Sequence, residues 1–120
     1  MNTKLTIQRL FTNKPLLIIL LAICCYSCKK NSETTAKPGS NEVWMQNTSF
    51  NPASITIARN TTVTWTNKDG MTHTVTDNTG LFDSGNIGSN STFSHAFTSA
   101  GTFAYHCKIH SGMTGSVTVQ

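Results

Sequence analysis

Cys107, His110 and Met113 fall within seven residues, in the run Tyr105-His106-Cys107-Lys108-Ile109-His110-Ser111-Gly112-Met113. A thiol, an imidazole and a thioether placed that close, just after an apolar strand, can converge on one point if the chain turns tightly. Gly112 and Gly115 supply the backbone freedom for such a turn. A second imidazole, His73, lies 34 positions upstream. One Cys, two His and one Met make a mixed sulfur and nitrogen donor set, and among biological metals that set selects copper.

Other chemistries fit these residues less well. A Cys-His pair is the usual ingredient of a thiol nucleophile, but no acid or amide stands nearby to orient it, and Met113 would have no part. Structural zinc is disfavoured because thioethers are poor zinc ligands. His106 adjoins Cys107, yet the two-residue strand period turns it to the opposite face, which makes it a surface histidine. His95 falls on one face with Phe93 and Phe97 and reads as a hydrogen-bonded, partly buried histidine. Met45 and Met71 read as core or rim packing. Met71 and Ile109 could also form an apolar collar around the exposed edge of His110.

The elements that must position these groups are strands. Val43 and Met45 alternate with Trp44 and Gln46, and Ile55 and Ile57 with Ser54 and Thr56. Val63 and Trp65 oppose Thr62, Thr64 and Thr66. Met71, His73 and Val75 alternate with Thr72, Thr74 and Thr76, so His73 is expected on the inward face just after the turn Asn67-Lys68-Asp69-Gly70. Phe103, Tyr105 and Cys107 share a face, and Val117 and Val119 close the chain. Short alternating strands bounded by Asn, Gly, Asp and Pro predict an all-β, antiparallel sandwich, with threonine on its solvated surface. Its 79 residues, 42–120, make a core of marginal stability that a metal crosslink would strengthen.

The N-terminal third has a different character. Lys4, Arg9 and Lys14 precede the apolar run 16–25, which is short for a bilayer span and reads as a secretory signal. Cys24, Cys25 and Cys28 follow, a cluster that resembles the lipobox of bacterial lipoproteins. Cys28 is the preferred lipidation site because the small Ser27 precedes it; Cys24 has a Leu21-Ala22 approach, but Ile23 is bulky at the cut. An ordinary signal cut before Lys29, releasing a soluble protein, is the alternative. Residues 1–27 are thus expected to be a signal peptide and 28–41 a lipid anchor and polar tether. The stretch KKNSETTAKPGSN, residues 29–41, would reach roughly 20 Å as a flexible chain. These features place the protein outside the cytoplasm, in the periplasm or cell envelope, held to a membrane through its lipid.

From Cys28 onward six basic residues face five acidic ones, a net charge of +1, so nothing suggests a nucleic-acid partner. With Cys28 acylated, Cys107 is the sole free thiol of the mature chain, and no disulfide can form. A lone thiol in an oxidising compartment is a liability unless something occupies it, and a metal would.

The segments Thr64-Trp65-Thr66-Asn67-Lys68-Asp69-Gly70-Met71-Thr72-His73-Thr74-Val75 and Ala100-Gly101-Thr102-Phe103-Ala104-Tyr105-His106-Cys107, continuing through Ile109-His110-Ser111-Gly112-Met113-Thr114-Gly115, resemble the ligand-bearing segments of small cupredoxins. These are the blue copper proteins of the plastocyanin and amicyanin group, and the two residues between His110 and Met113 match the short, amicyanin-like form of the loop. The resemblance implies a Greek-key β-sandwich. It also implies one type 1 copper held by His73, Cys107 and His110 in a plane, with Met113 as a long axial ligand. The implied function is a one-electron carrier cycling Cu(I) and Cu(II), a monomer and not an enzyme, whose redox partners dock near His110. Copper storage or delivery to an oxidase is the alternative. Asn67 and Thr74 are expected to support the ligands. Family members often carry Asn in place of Thr74, where it ties the two ligand segments together; a hydroxyl can make one such bond but not an amide's set.

Overall fold

A computed structural model describes residues 36–120. The expected signal peptide, Cys24, Cys25, the lipidation site Cys28 and most of the tether lie outside the described residues. The last part of the tether, residues 36–41, carries no strand. The first strand starts at Glu42, where the alternating pattern begins.

Eight strands follow one another: β1 (Glu42–Gln46), β2 (Ser49–Asn51), β3 (Ser54–Ile57), β4 (Thr61–Asn67), β5 (Thr76–Asp77), β6 (Thr92–Phe97), β7 (Gly101–His106) and β8 (Thr114–Val119). They form two four-stranded sheets, ordered β2-β1-β4-β6 and β3-β8-β7-β5. No helix occurs among the described residues. The all-β sandwich expectation therefore holds, with one difference. β1 runs parallel to β4 and β3 parallel to β8, so both sheets are mixed. Side-chain alternation is the same in parallel and antiparallel strands, and the sequence pattern does not distinguish them.

The period-two pattern sorts the side chains as expected in the regular strands. Val43 and Met45 of β1, Val63 and Trp65 of β4, Tyr105 of β7, and Val117 and Val119 of β8 are buried in one core. An aromatic cluster fills its centre: Trp65 meets Tyr105 edge-on at 5.4 Å between ring centroids, and Phe82, Phe93 and Phe97 lie within 6.4 Å of Trp65. Such ring pairs add to the area they remove from water.

His95 is partly buried, as expected, but packing rather than hydrogen bonding accounts for it. Its ring lies on Phe82 at 4.6 Å and meets Phe97 edge-on at 4.9 Å, and this burial pulls its pKa down.

Gly115 is needed for a reason other than turning. A Cβ there would sit 2.5 Å from the Tyr105 ring and hydroxyl, so glycine lets this buried ring lie against β8. Gly115→Ala is expected to cost about 1–3 kcal/mol by overpacking, read as a lower urea midpoint. The loss should shrink when Tyr105→Leu, which removes the ring atoms that the new Cβ strikes, is combined with it, since the two positions are in contact.

Candidate metal centre

Two connections meet at one end of the sandwich. The first, between β4 and β5, carries His73; the second, between β7 and β8, carries Cys107, His110 and Met113.

The first connection is held by Asn67, the fully buried last residue of β4. Its Nδ2 donates to the carbonyls of Met71 at 2.8 Å and Ile87 at 2.9 Å, while its Oδ1 accepts the Asp69 N–H at 2.9 Å. His73 is then clamped to Ile87 in both directions, its N–H donating at 3.1 Å and its carbonyl accepting at 2.8 Å. This is an isolated bridge and not the strand that alternation predicts. Met71 accordingly leaves the inward face and is 49% exposed, and Thr74, expected outward, is buried. The change at Thr74 follows from its neighbours, because the second connection covers it.

The second connection folds on itself. The Cys107 N–H donates to the Met113 carbonyl at 3.0 Å and the Met113 N–H to the His110 carbonyl at 3.2 Å. Gly112, with φ of 84°, takes the left-handed conformation that closes the turn. Cys107 and Met113 are buried, whereas His110 is partly exposed.

Thr74 joins the two connections. Its N–H donates to Cys107 Sγ at 3.3 Å, and its hydroxyl accepts the Lys108 N–H at 2.8 Å. The threonine hydroxyl thus supplies one bond between the segments. His106 is half-exposed, with Nδ1 2.6 Å from Asn78 Oδ1, on the side expected for a surface residue.

The result is a tight cluster of donor atoms. His73 Nδ1 and His110 Nδ1 are 3.1 Å apart, and Cys107 Sγ lies 3.9 Å from the first and 3.6 Å from the second. All three atoms fall within 4.8 Å of one another, close enough to share one ion. Burial alone would raise the Cys107 thiol pKa. The N–H groups of Thr74 and Ile109 and the two imidazoles outweigh it and bring the pKa down to about 6. A buried thiol that favours its thiolate at neutral pH, faced by two imidazole nitrogens, suits a copper ion.

One residue of the site was read from sequence only as part of a turn. Asp69 Oδ2 lies 2.8 Å from His73 Nε2, on the far side of the ring from the donor cluster. Its carboxylate also accepts the N–H groups of Asn47 at 2.8 Å and Thr48 at 3.0 Å. Burial would raise its pKa, but the Thr48 and Asn47 N–H groups and the His73 ring hold it below the usual carboxylate range. The available signal was an acid four residues before a candidate ligand, in a segment with no helical period.

The cupredoxin-like domain family matches residues 16–119. The chain belongs to the cupredoxin-like family. This cupredoxin is 34% identical over 89 residues to a plastocyanin of Scenedesmus fuscus, covering 59% of this chain and 86% of the plastocyanin. It is 32% identical over 90 residues to amicyanin-alpha of Methylorubrum extorquens, covering 71% of this chain and 76% of that protein. A solved structure of a mutant amicyanin in its oxidised state superposes with a TM-score of 0.63 at 28% identity, covering 66% of this chain and 80% of that one. The cofactor that the donor set and the family both indicate is copper.

The lowered thiol pKa has a measurable consequence in copper-free protein. Ultraviolet thiolate absorbance should titrate with a midpoint of about 6 when folded and about 8.5 when unfolded. Folding then favours the thiolate. Its contribution to stability is complete above the unfolded midpoint and is lost as pH falls through the folded one. Cys107→Ser should remove both the absorbance step and that part of the pH dependence.

Proposed function

We propose that this cupredoxin is a one-electron carrier in which His73, Cys107, His110 and Met113 hold a single copper. The observation that carries the reading is the convergence of two Nδ1 atoms on one buried sulfur. Bound there, copper supplies a Cu(I)/Cu(II) couple. The four residues have separate tasks. Cys107 gives a thiolate, desolvated and steadied by the Thr74 N–H. His73, fully buried and clamped to Ile87, fixes one donor to the sheet. Met113 is buried beside them as a polarisable fourth donor. His110 is the one donor residue with an edge toward solvent, and it provides the route by which an electron leaves.

Two large apolar side chains are exposed on the segments that carry the donors. Met71 is 49% exposed and Ile109 is 48% exposed, each on a segment that also carries a donor. A small apolar rim suits brief encounters with redox proteins, which separate readily. All four donors come from one chain, so a monomer completes the site, and no substrate is turned over. The signal-like residues 1–27 and the candidate lipid site Cys28 support export to the periplasm or cell envelope with membrane anchoring.

Adding Cu(II) to residues 31–120 should give an intense thiolate-to-copper visible band that Cys107→Ala abolishes; a colourless product overturns the proposal. Copper retained through repeated reduction and oxidation supports the carrier. Ready loss of copper to a chelator on reduction would favour storage or delivery to an oxidase instead.

Ile109→Glu tests the rim. Electron self-exchange, followed by NMR line broadening in mixed oxidised and reduced samples, should slow about tenfold or more. A carboxylate desolvated in the encounter costs at least ~1.4 kcal/mol. The colour should not change.

A further inference from the structure

His73 differs from the other candidate donors in what stands behind it. Among the described residues it is the one histidine paired with a carboxylate, and its ring is completely buried while Asp69 keeps 14% of its side chain exposed. An ionised carboxylate only accepts hydrogen bonds. The ring nitrogen facing it, Nε2, must therefore carry the proton. In the neutral ring the other nitrogen, Nδ1, is then left with a lone pair directed at Cys107 Sγ and His110 Nδ1. A neutral imidazole can form either tautomer, and only this one presents a donor atom to the cluster.

The carboxylate is itself fixed from a third element. β1 and β2 are joined by Asn47 and Thr48, which both adopt left-handed backbone conformations, with φ of 55° and 56°. Two successive positive φ values are what a two-residue hairpin turn requires, but a β-branched threonine resists them. Asp69 accepts both of their N–H groups, Asn47 on Oδ1 and Thr48 on Oδ2. Its own N–H is held by Asn67 Oδ1. The acid thus sits between a turn whose N–H groups point at it and a ring whose orientation it sets.

We propose that Asp69 is a positioning residue for the metal centre. Its carboxylate locks His73 as the Nε2–H tautomer, aims Nδ1 at the donor cluster, and anchors that ring to the β1–β2 turn. The effect on copper rests on the carrier reading above; the effect on the ring does not. A negative charge behind the imidazole also strengthens it as a donor, which favours Cu(II) over Cu(I).

Asp69→Ala is the discriminating change. It removes the acceptor that selects Nε2–H, so the ring can carry its proton on either nitrogen. An amide would not do, because an oxygen in the Oδ2 position still accepts from Thr48 N–H and His73 Nε2–H.

The test has two parts. Imidazole 15N NMR of the copper-free full domain should show wild-type His73 as a single Nε2–H tautomer, and Asp69→Ala should populate the Nδ1–H form. In copper-loaded protein, loss of an outer hydrogen-bond partner weakens metal binding about tenfold or more. Where that loss falls on Cu(II), the reduction potential of Asp69→Ala rises by ~59 mV per tenfold. Asp69→Glu, which keeps the charge, should return the potential part of the way.

A tautomer mixture in wild-type protein overturns the proposal, and that measurement needs no variant to fold. So does an Asp69→Ala protein that melts earlier with His73 tautomer and potential unchanged, because the acid would then only brace the turn. Wild-type protein that binds no copper but shows the locked tautomer refutes the carrier reading alone.

Discussion

The centre depends on Thr74, which fastens two connections that are far apart in sequence. Its N–H reaches Cys107 Sγ and its hydroxyl takes the Lys108 N–H. One connection leaves β4, in the first sheet, and the other joins β7 to β8, in the second. The same two bonds therefore close one end of the sandwich and bring the imidazole of one segment to the thiol of the other. A salt bridge between Lys108 and Asp83, 2.6 Å long and half-exposed, lies alongside. Exposed pairs contribute little to stability, so the buried contacts around Thr74 dominate.

A domain this small has limited apolar area to bury. Its aromatic cluster occupies the middle of the core, and the end with the donors relies on hydrogen bonds instead. Asn67 satisfies three backbone groups there, and His73 exchanges two bonds with Ile87. Buried polar groups need such partners. Together they hold irregular backbone in place without the regular alternation that would turn Thr74 out to solvent. Rigidity at that end serves electron transfer, because donors that do not move between oxidation states lower the cost of changing state.

How much was legible in the sequence follows from which forces act locally. Strand faces such as Val43 and Met45 or Val63 and Trp65 could be read, because burial repeats every two residues. The cluster of Cys107, His110 and Met113 was legible for a similar reason, being confined to one turn. The parallel pairings β1 with β4 and β3 with β8 left no mark, since either direction gives the same alternation. Alternation alone turns Met71 inward and Thr74 outward, and it fails past the end of β4, where Asn67 side-chain bonds govern the segment; the rim reading of Met71 and the ligand-supporting reading of Thr74 rest on other grounds. His95 was read as hydrogen-bonded because imidazoles usually are, while here the rings of Phe82 and Phe97 enclose it. Gly115 was assigned to chain flexibility, although its role depends on a Tyr105 ring ten residues away. Asp69 was hidden by its setting. In a turn motif an aspartate is explained by local backbone bonds, and nothing marks one that also reaches a ring four residues on.

The two histidines of the proposed donor set differ, one being fixed and the other adaptable. His73 is held through both backbone groups and through Nε2, so its position is set by the sheets and by the β1–β2 turn before any metal arrives. His110 is held through the loop that carries it, in the single bond from Met113 N–H to its carbonyl, and its ring edge meets solvent. Entry of a metal through a rigid wall would require local unfolding. Entry past a ring on a short loop requires only that the loop yield. The exposed side of the site is thus suited both to loading and to electron exit, and the buried side to keeping the geometry constant. The fold achieves this by drawing one donor from the connection that is stitched to a core asparagine and the other three from a turn closed by a glycine.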